Sequence, residues 1–83
     1  MIVNLYTTDT CPYCKMAKEF LKVNKIKFTE INVREHPDKG EEITAHSGEI
    51  GVPQIEIKKD KEDAGLIIVG FDKEELKKAL HIK

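Results

Sequence analysis

The sequence has no excess of either charge: 14 Lys and Arg stand against 15 Asp and Glu, a formal net charge of −1. That balance excludes a strong electrostatic attraction to nucleic acid or to an anionic membrane surface. Long apolar runs are lacking as well. The longest, Leu66-Ile67-Ile68-Val69, is far too short to cross a bilayer. The opening residues, MIVNLYTTDT, hold neither a basic start nor the apolar stretch of a secretory signal, so a cytoplasmic protein is expected. No glycine-rich phosphate loop, H-E-x-x-H or G-x-S-x-G occurs, which removes the usual motif for nucleotide, zinc-peptidase or serine-hydrolase chemistry. There is no internal repeat, low-complexity tract or Pro/Ser linker. With 83 residues, the chain is expected to form one domain, 1–83.

Cysteine is scarce, with only Cys11 and Cys14. A disulfide between them would close a tiny loop, which stabilises least in the chain-entropy model. The pair is therefore a poor staple, and the domain must fold on its core. Two thiols are also too few for a structural zinc site, which takes four ligands. His36 and His46 lie too far apart for the usual H-x₃₋₅-H pair.

What is present reads as alternating strands and helices. Residues 2–6 form a short, largely buried strand, broken by Thr7-Thr8-Asp9-Thr10. From Pro12 to about Val23 the apolar residues Met16, Ala17, Phe20 and Leu21 recur at helical spacing, with lysines on the other face and Asn24 as the end. Residues 27–33 alternate as a second strand, which makes a βαβ unit with parallel strands. Pro37 to Ser47 suits a helix with Pro37 in its first turn and Gly48 beyond its end, although only Ile43 and Ala45 supply an apolar face. Residues 54–58 alternate as a strand, and 66–69 are apolar enough to be buried on both faces. The charged run Lys58–Asp63 between them is a solvated turn of an antiparallel hairpin. A last helix opens at Asp72, has Glu75 three residues on, buries Leu76, Ala79 and Leu80, and places Lys77, Lys78 and Lys83 toward its C-terminal end. The fold class is α/β, β-α-β-α-β-β-α, with a four-stranded mixed sheet flanked by three helices.

Cys11-Pro12-Tyr13-Cys14 falls where the first strand turns into the first helix. Unpaired N–H groups and the positive helix end favour a thiolate there, and the thiolate is the nucleophile. Residues three apart on a helix are neighbours, so the Cys14 sulfur can reach that of Cys11. Pro12 has no N–H to lose in the first turn. The pattern specifies a dithiol/disulfide site in which Cys11 attacks a substrate disulfide and Cys14 resolves the mixed disulfide. Lys15 could add positive charge nearby, whereas a carboxylate at Asp9 would act in the opposite sense.

Thr10-Cys11-Pro12-Tyr13-Cys14 followed by Ala17-Lys18 resembles the active site of glutaredoxins, small proteins of the thioredoxin fold. Gly51-Val52-Pro53-Gln54-Ile55 resembles their T-V-P segment, and Val69-Gly70-Phe71-Asp72 falls where they carry a glycine-containing loop. The resemblance covers nearly the whole chain, a glutaredoxin-like domain. It implies a cis Val52–Pro53 bond facing the cysteines, with the Val52 backbone pairing with substrate. It implies a substrate-binding rim of Thr8, Pro12, Tyr13, Val52, Pro53, Gly70, Phe71 and Asp72 around the catalytic Cys11 and Cys14. The chain departs from the glutathione-using pattern at Thr8, where a cation is usual, and Gly70-Phe71 resembles the NrdH-redoxin branch instead.

These features together lead to an expected dithiol oxidoreductase that binds no cofactor or metal. It would act on disulfide-containing proteins or glutathione mixed disulfides and, like NrdH-redoxins, could donate electrons to ribonucleotide reductase. Glutathione or a thioredoxin-reductase-type flavoenzyme would be the external reductant, and the protein would act as a monomer. The alternative is an iron–sulfur cluster or metal carrier using Cys11 as a ligand.

Overall fold

Val3 and Leu5 point to one side of the first strand, and the core assembles on that side. The computed structural model describes residues 1–48, 51–63 and 65–81. Its elements run β1 (Ile2–Thr7), α1 (Pro12–Val23), β2 (Thr29–Asn32), α2 (Pro37–Ser47), β3 (Gln54–Lys58), β4 (Leu66–Val69) and α3 (Lys73–Leu80). This is the order expected from the sequence. The four strands form one mixed sheet in the order β2-β1-β3-β4. β1 and β2 are parallel, and the β1/β3 and β3/β4 pairs are antiparallel.

Register explains the core. Leu5 sits opposite Ile55, and Ile55 opposite Ile68, so branched apolar side chains form a row across three strands. Together with Val3 and Ile57 they meet Ala17 and Leu21 of α1 and Leu76 and Leu80 of α3. Full burial of one such aliphatic side chain contributes about 1.5–3 kcal/mol. The other face is polar: Tyr6, Gln54 and Glu56 are buried there, and the Asn4 amide donates to Glu56 Oε1 at 2.9 Å. α2 lies against this side, giving it the buried Ile43, and its Glu42 is close enough to act on Tyr6. Burial first, and then Glu56, push the Tyr6 hydroxyl up to about 12.

Helix ends follow their local chemistry. Asn24 caps the end of α1, and Gly48 ends α2 in the left-handed region that glycine adopts without strain. Asp72 caps α3, its Oδ1 accepting the Glu74 and Glu75 N–H groups at 3.1 and 3.2 Å.

Four expectations are corrected. The second strand covers only Thr29–Asn32, because its ladder with β1 begins at Asn4 and ends at Thr7. Phe28, outside the ladder, still packs on the core. β4 is not buried on both faces: it is an edge strand, and Leu66 and Val69 are 51% and 45% exposed. Met16 is 48% exposed, because the buried stripe of α1 runs Cys14, Ala17, Leu21 and leaves Met16 to one side. Ala45 is exposed, so Ile43 alone carries the buried side of α2. The expected position of Lys83 lies outside the described residues. Among the described residues, no helix is long and apolar enough to cross a membrane.

Candidate active site

β1 delivers the chain to the C-terminal end of the sheet, where Thr8, Asp9 and Thr10 turn it into α1. Cys11 is the N-cap of that helix, in an extended conformation (φ −97°, ψ 109°), with Pro12 in the first turn. Its sulfur occupies the place of a capping oxygen: the Cys14 amide N–H donates to Cys11 Sγ at 3.1 Å. A donor aimed at the sulfur, at the positive end of a helix, is the setting in which a thiol attacks as thiolate.

Cys14 lies one turn further on and points inward. It is 2% exposed, against the partial exposure of Cys11. Burial pushes its thiol up to about 12, helped by the hydrogen bond to Cys11 and the charge of Glu30, with the Thr8 backbone opposing. One cysteine is thus partly exposed and served by a backbone donor, while the other is covered and held protonated.

A second segment faces them. The Val52–Pro53 peptide bond is cis, as the resemblance implied, and Pro53 is fully buried. The Val52 carbonyl is turned to Cys11 Sγ, and the Cys11 thiol donates to it at 3.7 Å. The turn is held from both sides. The Gln54 side-chain amide donates to the Gly51 carbonyl at 2.8 Å, and the Gly70 N–H donates to the Pro53 carbonyl at 2.8 Å. Gly70, with φ +85°, is at a position that suits glycine.

Cys11, Cys14, Val52, Pro53 and Gly70 are therefore brought together. Thr8 lies alongside, lining a cleft of about 650 Å³ with Val33, Ile43, Gly51 and Val52. Tyr13 is 60% exposed on the first turn of α1. Phe71 turns to α1, its ring edge-on to Phe20 with centroids 6.0 Å apart, and it packs against the core. With Met16, Phe20 and Val23 it lines a second groove of about 550 Å³. The Asp72 carboxylate caps α3. Asp9 accepts a hydrogen bond from the Asn32 side chain, which ties it to β2. Among the described residues, no group of three or more His, Cys, Asp or Glu is placed to hold a metal.

Sequence reasoning passed over Glu30. It projects from β2 beside Cys14, and both line a smaller cleft under α1. Glu30 Oε1 pairs with Lys18 at 2.8 Å, and Oε2 accepts from the Thr7 hydroxyl at 3.0 Å. The Lys18 bond, with that of Thr7, holds the Glu30 carboxyl below its usual range. No local motif signals this trio, because only strand register and the crossover bring residues 7, 18 and 30 together.

Comparison with known proteins agrees with this fold. The family model for glutaredoxin matches residues 3–61. An uncharacterised glutaredoxin-like protein of the rubredoxin operon of Clostridium pasteurianum is 40% identical over 79 residues, 95% of this chain and 97% of that protein. The crystal structure of a variant of the thioredoxin-like protein BC3987 superposes with a TM-score of 0.85 at 26% identity, over 98% of this chain and 96% of that one. NrdH-redoxin from Escherichia coli, described as glutaredoxin-like with a thioredoxin-like activity profile, shares the fold at a TM-score of 0.80 and 23% identity, over 94% of this chain and 93% of that one.

Proposed function

The chain belongs to the glutaredoxin family, and on that premise we propose that it reduces protein disulfides and glutathione mixed disulfides through Cys11 and Cys14. The observation that carries the proposal is the asymmetry of the two thiols. Cys11 Sγ caps a helix and meets an amide donor at 3.1 Å, while Cys14 is covered beneath it.

The reaction follows in two exchanges. The Cys11 thiolate attacks one sulfur of the substrate disulfide. A Cys11–substrate disulfide forms, the original bond breaks, and the leaving sulfur takes the electron pair and a proton. Cys14 then loses its proton and attacks Cys11 Sγ. The Cys11–Cys14 disulfide forms, and the second substrate sulfur departs as a thiol. Two electrons have passed from the dithiol to the substrate. A thiol reductant, either two glutathione molecules or a thioredoxin-reductase-type flavoenzyme, restores the dithiol.

The Val52 carbonyl, directed at the reactive sulfur, suits an extended substrate backbone laid beside it. Thr8 and Gly70 flank that line, with Tyr13 on the open side. Phe71 serves the site indirectly, by fixing the loop that carries Gly70 against Phe20. Thr8 gives a glutathione carboxylate no cation to pair with, which supports the flavoenzyme as reductant. Electron donation to ribonucleotide reductase is the corresponding substrate proposal.

Cys11→Ser and Cys14→Ser variants test the roles. Cys11→Ser should abolish disulfide reduction, and folded Cys14→Ser should accumulate the mixed disulfide, seen as added mass. Loss of trapping in folded Cys14→Ser would overturn the resolving role. Turnover with NADPH and thioredoxin reductase, compared with glutathione and its reductase, decides the reductant.

A further inference from the structure

The resolving thiol has a charged neighbour that the two-exchange scheme does not use. A cleft of about 190 Å³ opens between the end of β1, α1 and β2, and Cys14 and Glu30 both line it. Glu30 is fixed there by two bonds from different elements. Thr7, 1% exposed on β1, holds Oε2, and Lys18 on α1 holds Oε1. Oε2 is thus tied to the strand that leads to Thr8, whose backbone touches Cys14. The charged groups facing this cleft are Asp9 from the loop, Lys15 and Lys18 from α1, and Glu30 from β2. Lys22 also acts on Glu30, while Asp9 is engaged by Asn32. Thus the nearby carboxylate and its counter-ion are held in one fixed pair.

We propose that Glu30 acts through Cys14 as a brake on the resolving step, its carboxylate opposing the negative charge that Cys14 must take on before it attacks Cys11, with Lys18 setting how strongly the brake is felt. The inference rests on the dithiol reading above. It assigns Glu30 and Lys18 as positioning residues for the resolving thiol. Their bonds are to each other and to Thr7, not to Cys11. Like charges that line one cleft disfavour ionisation of one another, and the cover over Cys14, 2% exposed, leaves a charge on its sulfur less screened than in water. The consequence is a longer-lived mixed disulfide, because the substrate sulfur leaves only when ionised Cys14 attacks Cys11 Sγ. A base role is disfavoured by the same geometry. A carboxylate held ionised by a lysine and a hydroxyl donor has little affinity for the proton of a thiol.

The two partners of the ion pair must then act in opposite directions, which a purely structural pair would not do. Glu30→Gln removes the opposing charge and frees the Lys18 ammonium, so Cys14 should ionise more readily. Lys18→Met leaves the carboxylate without its counter-ion, so Cys14 should ionise less readily. The measurement is the pH profile of iodoacetamide alkylation at Cys14 in the Cys11→Ser background. Glu30→Gln should shift the profile to lower pH by roughly half a unit to one unit, a rate gain of about threefold to tenfold at pH 8. Lys18→Met should shift it the other way. With Cys11 restored, the mixed disulfide with a cysteine-containing peptide should resolve faster in Glu30→Gln by a similar factor. Unchanged profiles, or shifts of the same sign in both variants, would overturn the inference. Alkylation needs no redox turnover, so failure of the two proposals is separable. Opposite shifts without a mixed disulfide would sink the dithiol reading and leave Glu30 controlling Cys14. Normal turnover with unmoved profiles would do the reverse.

Discussion

Cys14 should be almost unreactive toward alkylation at neutral pH, and the size of the effect follows from its surroundings. Its thiol is 2% exposed and is pushed by burial from 9.0 to about 12. Each unit is a factor of ten in thiolate, so at pH 7.5 the ionised fraction falls about a thousandfold below that of an unperturbed thiol. Only the thiolate reacts, so the rate falls with it, offset in part by the greater nucleophilicity of a more basic thiolate (Brønsted β about 0.4–0.5) and lowered again by steric cover. The assay uses two single-cysteine variants. Cys14→Ser reports Cys11, and Cys11→Ser reports Cys14, each treated with excess iodoacetamide and followed by mass. Cys11→Ser removes the thiol that hydrogen-bonds Cys14, but burial, the larger cause, remains. The Cys14 rate should therefore climb about tenfold per pH unit with no plateau at pH 9. A plateau below about pH 9.5, or a rate at pH 7.5 within threefold of a free model thiol, would refute the reasoning. Burial would then not be controlling this sulfur, and the division of labour between the cysteines would lose its basis.

Three further outcomes are expected. Reduced protein should lose stability between about pH 9 and pH 12. Cys14 keeps its proton longer folded than unfolded, so its contribution is complete below pH 9 and disappears toward 12, with Tyr6 adding from pH 10 upward. Guanidinium midpoints at pH 8 and pH 10.5 should fall further for the unaltered chain than for Cys14→Ser, by up to about 2 kcal/mol in unfolding free energy. Leu21→Ala empties a fully buried site between α1 and the sheet and should cost about 2–5 kcal/mol in denaturant titration; a loss below about 1 kcal/mol would mean that the helix re-packs over the gap. Asp72→Ala removes the cap of α3 and should cost about 1 kcal/mol, while Asp72→Asn should recover most of it.

Much of the scaffold could be read because its cues are local. Pro12 and Asn24 bound α1, and Gly48 stops α2, each through backbone chemistry that a short window contains. The cysteine pair was legible for the same reason, since one helical turn brings residues 11 and 14 together. The exposure of β4 was not legible. An apolar strand looks the same in the middle or at the edge of a sheet, and only strand order decides. Met16 misled because helical spacing defines a stripe but not which of its flanks faces the sheet. Glu30 was hidden for a deeper reason. Its partners Thr7 and Lys18 are set by the β1/β2 register and the packing of α1, neither of which a local pattern encodes. The Val52–Pro53 turn could be placed opposite the cysteines only through family resemblance, because 41 residues separate Cys11 from Val52.

On the dithiol reading proposed above, the sulfur that does the chemistry is also the atom that closes the first turn of α1. A capping group should be a good acceptor at all times, yet this one changes its electron density with every exchange. As a thiolate it binds the Cys14 amide proton strongly, and once joined to another sulfur it is a weak acceptor. The helix end must therefore loosen and tighten in step with the redox cycle. Hydrogen–deuterium exchange at the Cys14 amide would register this rhythm, slow in the reduced protein and faster in the mixed disulfide, so that the backbone itself keeps a record of the bond made at its tip.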